Sequence, residues 1–246
     1  MINVVCVKYG TKYDHTWPNR LYKMVEKNCS LPFIFYCVTD NTDYLNPYIE
    51  TIDVDHSLEL DSFWWKLTIF DNIYAFDAPT IFLDLDVIIQ NNIDYFMNEI
   101  FDEDKLTIPY SGVMQTILED GLLWHDAYPY PCGVNSSIMI FRPSKMKQIF
   151  DNFMLDMDYN ILKYRGVCRY LWGEHQDIFS FMEYGKDWYS YIKKYKPFRD
   201  NYEEYKKYLT KDDEIFMPHL PVMLLNGLKN DEQRKNVVNK FSEYFV

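Results

Sequence analysis

Apolar residues in the first ninety positions fall into short dense runs separated by stretches with helical spacing. Residues 2–7 form a β-rich run that gives way to Lys8-Tyr9-Gly10. After Trp17-Pro18, where proline suits a first helical turn, Leu21, Met24 and Val25 recur at helical spacing. Residues 33–38 predict a second buried strand ending at Thr39-Asp40-Asn41, and residues 49–54 a shorter edge strand. A helix is expected over 63–74, with Trp64, Leu67 and Phe70 along it, and a single strand over 80–89, the most hydrophobic of all. Strand and helix alternating in this order predict an α/β protein: a mostly parallel, twisted sheet with helices on both faces. Ligands in such sheets bind beyond the carboxyl ends of the strands, which directs attention to residues 8–15, 39–43 and 84–90.

The second half is less regular. Residues 110–134 hold Gly112, Gly121, Pro129, Pro131 and Gly133 and read as a long loop, with Trp124 and His125 inside it. Loops of that length in compact domains are usually functional or mobile. Residues 135–141 predict a further strand, 143–157 a helix with Met146, Ile149, Phe150 and Phe153 on one face, 174–184 another helix, and 230–244 a terminal one. Residues 185–215 are rich in Tyr and Lys and read as solvated. No repeat or linker divides the chain, so a single domain over 1–246 is expected.

Composition narrows the function. The 246 residues are 48% hydrophobic and 25% charged, enough for a substantial core. The formal charge of −12 repels phosphate backbones and anionic lipid, which argues against a general nucleic-acid or membrane-surface role. No apolar run reaches the roughly 18 residues of a transmembrane helix. The first residues lack the basic start of a signal peptide, and five scattered cysteines without a CxxC pair read as reduced thiols, so a cytoplasmic protein is expected. Alanine occurs only at 75, 78 and 127 while Tyr, Asn, Lys and Ile abound, the base-composition habit of a compact microbial or viral genome.

The candidate chemistry centres on Asp84-Leu85-Asp86. Alternate strand residues share a face, so the two carboxylates are expected side by side near the end of an apolar strand. Close, desolvated carboxylates oppose each other's ionisation, and a divalent cation relieves both costs; oxygen ligands suit Mg²⁺ or Mn²⁺. The same spacing occurs at Asp53/Asp55, Asp102/Asp104 and Asp156/Asp158. Asp102/Asp104 falls in a charged turn, Asp156/Asp158 at the end of a helical pattern, and Asp53/Asp55 closes an edge strand and competes with Asp84/Asp86 for the metal. Lys66, on the preceding helix, could reach a diphosphate held at the strand ends or lie on a solvated surface. Asn135-Ser136-Ser137 could bind a sugar or end the long loop, Glu174-His175-Gln176-Asp177 could act on a ligand or cap a helix, and the lone His219 could be a ligand or a structural residue. Trp124-His125 could stack on a sugar or pack down its loop. No GxGxxG, Walker, HExxH or GxSxG pattern is present.

The order of these motifs resembles the GT-A fold nucleotide-sugar glycosyltransferases, especially the glycogenin and lipopolysaccharide galactosyltransferase group. A first strand running into Lys8-Tyr9-Gly10, then Val38-Thr39-Asp40, Trp65-Lys66-Leu67 and Phe82-Leu83-Asp84-Leu85-Asp86 is similar to that family's donor half. Asn135 through Ser144 resembles the strand that carries its sugar-contacting Asn, and His175-Gln176-Asp177-Ile178-Phe179 its Asp-Gln helix start. The resemblance implies transfer of a sugar, a hexose, from a UDP-linked donor to a hydroxyl acceptor such as a glycan. It implies a bound Mn²⁺ or Mg²⁺ on Asp84, Asp86 and His219, and donor contacts from Lys8, Tyr9, Asp40, Lys66, Asp84, Asn135 and Ser136. Gln176, Asp177 and Asn135 would work on the transferred sugar, with residues 1–105 as the donor half and 106–246 as the acceptor side. The chain departs from the family in having His175 where Asp often precedes the Gln. It also lacks the intact His-x-x-Gly-x-x-Lys-Pro segment, keeping only His219, with Gly227 and Lys229 at the wrong spacing. Two other readings compete: a haloacid-dehalogenase-like phosphatase with Asp84 as nucleophile, and a non-catalytic sugar-binding protein on the same fold.

Overall fold

A computed structural model of the chain describes residues 1–71, 77–109, 134–182, 222–224, 231–240 and 242–245. β1 (Ile2–Lys8), β2 (Phe33–Thr39), β3 (Ile49–Asp53), β4 (Thr80–Leu83), β6 (Leu106–Pro109), β7 (Ile138–Phe141) and β8 (Phe179–Met182) make one seven-stranded sheet in the order β3-β2-β1-β4-β7-β6-β8. β1 pairs in parallel with β2 and β4, β2 with β3, and β6 with β8, while β7 runs antiparallel to both β4 and β6. The expected mostly parallel α/β sheet is thus present, with β3 at its edge.

Period-two alternation, with both faces of the sheet covered, explains why the central strands β4 and β7 are apolar almost throughout, while the edge strand β3 carries exposed Glu50, Thr51 and Asp53. Val4, Cys6, Ile81, Leu83, Ile138 and Ile140 join one buried cluster with Leu21, Met24 and Val25 of α1 (Thr16–Asn28). Val5, Phe82, Met139 and Phe141 point the other way, into a cluster with Trp64, Trp65 and Phe70 of the Ser62–Phe70 segment. Ile149, Phe150 and Phe153 of α2 (Pro143–Leu155) and Tyr170 and Leu171 of α4 (Val167–Glu174) complete that second cluster. With both faces covered, neither can be polar.

Four expected elements come out differently. The 80–89 strand is broken: β4 ends at Leu83, Leu85 and Asp86 turn, and β5 (Val87–Ile89) leaves to pair antiparallel with β9 (Val222–Leu224). The segment expected as a helix over 63–74 is a 3₁₀ helix, Ser62–Phe70; residues 72–74 lie outside the described residues. Instead of a helix from 174, α4 stops at Glu174, Gln176–Ile178 makes one 3₁₀ turn, and β8 follows. The helix expected over 143–157 ends at Leu155, where Asp156 accepts the Tyr159 N–H and starts α3 (Met157–Tyr164). The terminal helix is α5 (Asp231–Lys240), followed by a 3₁₀ turn, Ser242–Phe245. The loop expected over 110–134 lies, apart from Val134, outside the described residues, as do residues 185–215. Among the described residues no helix is long and apolar enough to cross a membrane, and Cys6, Cys29, Cys37 and Cys168 are free thiols.

Candidate functional site

Strand order reverses between β1 and β4: β2 and β3 lie on one side of β1, and the chain then returns to place β4 on the other. Loops leaving the carboxyl ends of such a pair diverge and open a crevice, the ligand position in doubly wound sheets. The β1 loop contributes Lys8, Tyr9, Gly10 and Tyr13; the β4 end contributes Asp84 and Asp86. Because β7 runs antiparallel to β4, with Leu83 opposite Ile138, the Asn135–Ser137 segment enters at this same end.

Asp84 and Asp86 are therefore presented by a turn and not by consecutive positions on one strand face. The turn is tied to β7 by the Asp84 N–H, which donates to the Ser137 carbonyl at 2.9 Å. Both carboxylate oxygens of Asp84 face the Lys66 ammonium, at 2.6 and 2.7 Å, with each side chain 17% exposed. Burial would lower the Lys66 pKa, but the Asp84 carboxylate outweighs it and the ammonium is held above its ordinary value. Lys66 also lies 5.6 Å from the centre of the Phe82 ring.

Asp86 is less well compensated. One oxygen accepts the Tyr13 hydroxyl at 2.9 Å. Burial, and next the Asp84 carboxylate, push the Asp86 carboxyl above the usual carboxylate range, and burial followed by Asp86 itself raises the Tyr13 phenol. Two partly desolvated carboxylates sharing one ammonium and one hydroxyl are short of positive charge. That oxygen donor set fits a hard divalent cation. Among the described residues no three His, Cys, Asp or Glu side chains come together as a metal cluster, and the expected third ligand, His219, lies outside them.

The neighbouring loops are fastened around this turn. Lys8, 6% exposed, pairs with Asp40 at 3.5 Å. The other Asp40 oxygen accepts the Gly10 N–H at 2.8 Å, where the backbone turns through φ +68°. Tyr9 stacks on Trp65, with centroids 4.8 Å apart, and the buried indole N–H of Trp65 has no hydrogen-bond partner among the described residues. Asn135 is fixed by its own backbone N–H to the Pro109 carbonyl, 2.9 Å, while its side-chain oxygen accepts the Ser137 N–H, 2.8 Å. Ser136 is buried, with its N–H 3.3 Å and its hydroxyl 3.1 Å from the Cys168 sulfur.

Not every expected residue gathers here. β8 runs parallel to β6, and β6 parallel to β4 through their shared neighbour β7, so the segment preceding Phe179 lies at the amino ends of the strands. Gln176 and Asp177 are exposed at that opposite end, where Lys105 donates to the Asp177 carbonyl. His175 beside them is buried, 3.2 Å from the Tyr170 hydroxyl, and burial lowers its pKa. The register thus separates the Gln176 and Asp177 pair from the Asp84 turn. Trp124 and His125 lie outside the described residues.

The other acid pairs are accounted for locally. Asp55 accepts the Ser57 N–H and hydroxyl, Asp102 accepts the Asp104 N–H, and Asp156 caps α3. Those donors lie two or three residues away, and the further pairing of Asp104 with Lys145 is exposed, whereas Lys66 and Tyr13 reach the mostly covered Asp84 and Asp86 across 18 and 73 positions. Tyr13 was not singled out by its sequence. The available signal was its place in the 8–15 window beyond β1.

No protein-family model matches the sequence, and no curated protein matches it by sequence comparison. Solved structures do match its shape. The galactosyltransferase LgtC, in complex with donor and acceptor sugar analogs, superposes with a TM-score of 0.62 at 13% identity, covering 99% of this chain and 95% of that one. The apo form of the glycosyltransferase GlyE from Streptococcus pneumoniae gives 0.55 at 11% identity, covering 99% and 61%, and the bifunctional glycosyltransferase WbbM gives 0.54 at 11%, covering 74% and 38%. Identities this low speak to architecture alone, and on that architecture the chain has the GT-A fold of the LgtC-like glycosyltransferases.

Proposed function

We propose that the chain is a metal-dependent glycosyltransferase that moves a sugar, most simply a hexose, from a UDP-linked donor to a hydroxyl acceptor, with a glycan as the acceptor class. The observation that carries this reading is the pair of carboxylates on one turn at the switch point of a GT-A sheet, with Lys66 held against the first. Fold alone does not fix an activity; the site supplies the argument. A haloacid-dehalogenase-like phosphatase is not favoured, because the overall shape matches glycosyltransferases.

Asp84 and Asp86 would hold Mn²⁺ or Mg²⁺, with His219 as the third ligand. The cation, when bound, stabilises negative charge on the departing diphosphate. Lys66 adds a fixed positive charge at the same place without needing reorganisation, since Asp84 already orients it. Asp84 is then shared between Lys66 and the donor, and Tyr13 holds Asp86 by its hydroxyl. Lys8, Tyr9 and Asp40 form the wall that receives the nucleoside, braced by the Asp40 bonds and the Tyr9–Trp65 stack. Asn135 and Ser136, locked in the turn before β7, face the transferred sugar. Gln176 and Asp177, at the amino end of β8, are left out of this assignment. Residues 1–105 make the donor half and 106–246 the acceptor side of one domain.

The test is calorimetric titration of UDP, GDP and CDP into metal-stripped protein, with and without Mn²⁺, followed by UDP-sugar hydrolysis. UDP binding that requires Mn²⁺ and the hydrolysis of at least one UDP-sugar are expected. Failure to bind any nucleotide with any divalent metal overturns the proposal.

A further inference from the structure

Beside the crevice, on the outer face of α1, a groove of about 320 Å³ opens to solvent between His15, Asn19, Arg20 and Lys23 on one side and Tyr44 and Phe245 on the other. Its size is that of a small-ligand site. Among the described residues no carboxylate lines it, although the chain carries a net charge of −12. Positive charge concentrated this way in an acidic protein is a selective feature, since the surrounding field discourages long polyanions while a local cluster still attracts one compact anion.

Arg20 is the centre of the groove. Its guanidinium lies 5.7 Å from the Trp17 ring centre and 5.5 Å from that of Phe245. Among the described residues it makes no hydrogen bond or ion pair. Burial lowers its pKa, and the nearest opposing charge, Asp14, is already occupied by the N–H and hydroxyl of Thr16. A guanidinium packed near two aromatic rings is restrained and gives up little freedom on binding an anion.

Tyr44 supplies a second, independent observation. It is 81% exposed and has φ +61°, a left-handed backbone that a bulky side chain seldom adopts. Asn19 enforces that conformation from α1: its amide donates to the Tyr44 carbonyl at 2.9 Å, and its oxygen accepts the Asn46 N–H at 2.7 Å. The strained loop thereby places the Tyr44 ring 5.2 Å from His15, over the mouth of the groove. Strain maintained by such clamps is characteristic of binding sites. An exposed aromatic ring beside donors suits the C–H face of a pyranose, whose charged substituent would reach Arg20 and Lys23.

The geometry points to a binding site for an anionic saccharide unit, one bearing carboxylate, sulfate or phosphate, in the α1 groove. Arg20 and Lys23 take the charge and Tyr44 stacks on the ring. The site opens at the same end of the sheet as the Asp84 turn, with Tyr13 and Trp17, 5.0 Å apart, between the two. It does not depend on the donor chemistry proposed above.

The experiment is calorimetric titration of the full chain, at moderate salt, with a sulfated uronate-containing tetrasaccharide, neutral maltotetraose, inorganic phosphate and a single-stranded hexanucleotide. The sulfated tetrasaccharide should bind, with maltotetraose and phosphate at least about tenfold weaker, the scale of losing charge-assisted or stacking contacts. Arg20→Gln should weaken it about tenfold and Tyr44→Asn about threefold, asparagine tolerating the left-handed backbone. Lys23→Gln, at an exposed position away from the aromatic packing, gives the same direction if Arg20→Gln disturbs residues 242–245. Unchanged affinity in Lys23→Gln and Tyr44→Asn overturns the site. So does phosphate binding as tightly as the tetrasaccharide, which would leave an anion site without sugar recognition, or tighter binding of the oligonucleotide, which would make the groove a nucleic-acid contact.

Discussion

Asp86 and Asp94 are both largely withdrawn from water, and their surroundings push them in opposite directions. Asp94, 8% exposed, accepts the N–H of Ser30 at 2.9 Å, the Ser30 hydroxyl, and the N–H of Leu31 at 3.4 Å. Burial raises its carboxyl, but these donors prevail and hold it below the usual carboxylate range. It is an anion whose hydrogen bonds are filled, pinning the 30–31 turn to the start of the 94–100 segment. Asp86 has one hydroxyl donor and a second carboxylate for a neighbour, and it is held above that range. A folded chain solves the first problem internally. Under the proposed function a bound cation would meet the second, and that difference would separate a structural acid from a binding one.

The widest gap between the two should appear in donor binding. Asp86→Asn is expected to weaken Mn²⁺-dependent UDP binding about a hundredfold or more, the scale of removing one preorganised electrostatic group. Asp94→Asn should leave it within about twofold, since any effect would have to pass through packing alone. Equal losses in calorimetry would mean that both aspartates are structural.

Stability should order them the other way. Asp94→Ala removes the acceptor shared by the Ser30 and Leu31 N–H groups and the Ser30 hydroxyl, and should cost about 1–2 kcal/mol in urea unfolding. Asp86→Asn removes a poorly compensated charge facing Asp84 and should leave metal-free protein unchanged or slightly more stable. The acid limb gives a further check. Because the folded Asp94 pKa is depressed, its contribution is full above the unfolded value of about 3.9 and disappears as pH falls through the lower folded value. Asp94→Asn should therefore flatten the stability profile below about pH 4, and an unaltered slope would remove Asp94 from this role.

Lys66 tests what compensates Asp84. Lys66→Met leaves a mostly covered carboxylate pair without its ammonium and should cost about 2 kcal/mol, less than a fully buried pair because both side chains are 17% exposed. Lys145→Met, which breaks the exposed pair with Asp104, should cost about 0.5 kcal/mol or less. Mn²⁺ should raise the melting temperature of the Lys66 variant more than that of the wild type. The absence of any Mn²⁺ shift in either protein would remove the cation from this turn.

The contrast between these acids was only partly legible in the sequence. The flanking apolar run singled out Asp84/Asp86 from three pairs of equal spacing, and the structure gives each of the other three a local capping partner. What the run concealed was the break at Asp84: Ile81–Leu83 and Val87–Ile89 are equally buried, but in different sheets, and hydropathy does not distinguish which neighbour covers a residue. β8 is hidden in the sequence for a related reason. Phe179–Met182 pairs with Leu106–Pro109, more than seventy positions away, and that partner determines its conformation where four residues of local pattern do not. The same register carries Gln176 away from the crevice. Nothing local marks Asp94, because its partners, Ser30 and Leu31, are likewise distant in sequence.

The smallest effect concerns the β1 loop that carries Tyr13 to Asp86. Gly10 sits at φ +68° with its N–H on Asp40, and a Cβ there would meet nothing within 4 Å. Gly10→Ala should therefore cost only the backbone penalty of the left-handed region, about 1 kcal/mol, with no steric addition. If the loop adjusts its backbone to escape that penalty, Tyr13 moves with it and Asp86 loses its only hydroxyl donor among the described residues. The two responses separate cleanly. A rigid loop lowers stability and leaves Mn²⁺-dependent UDP affinity intact; a loop that yields weakens the affinity and spares the stability. The Asp40 tether, joining the ends of β1 and β2 through both Lys8 and Gly10, favours the rigid outcome. A severalfold loss of UDP affinity in Gly10→Ala without loss of stability would show that the tether does not set the position of Tyr13.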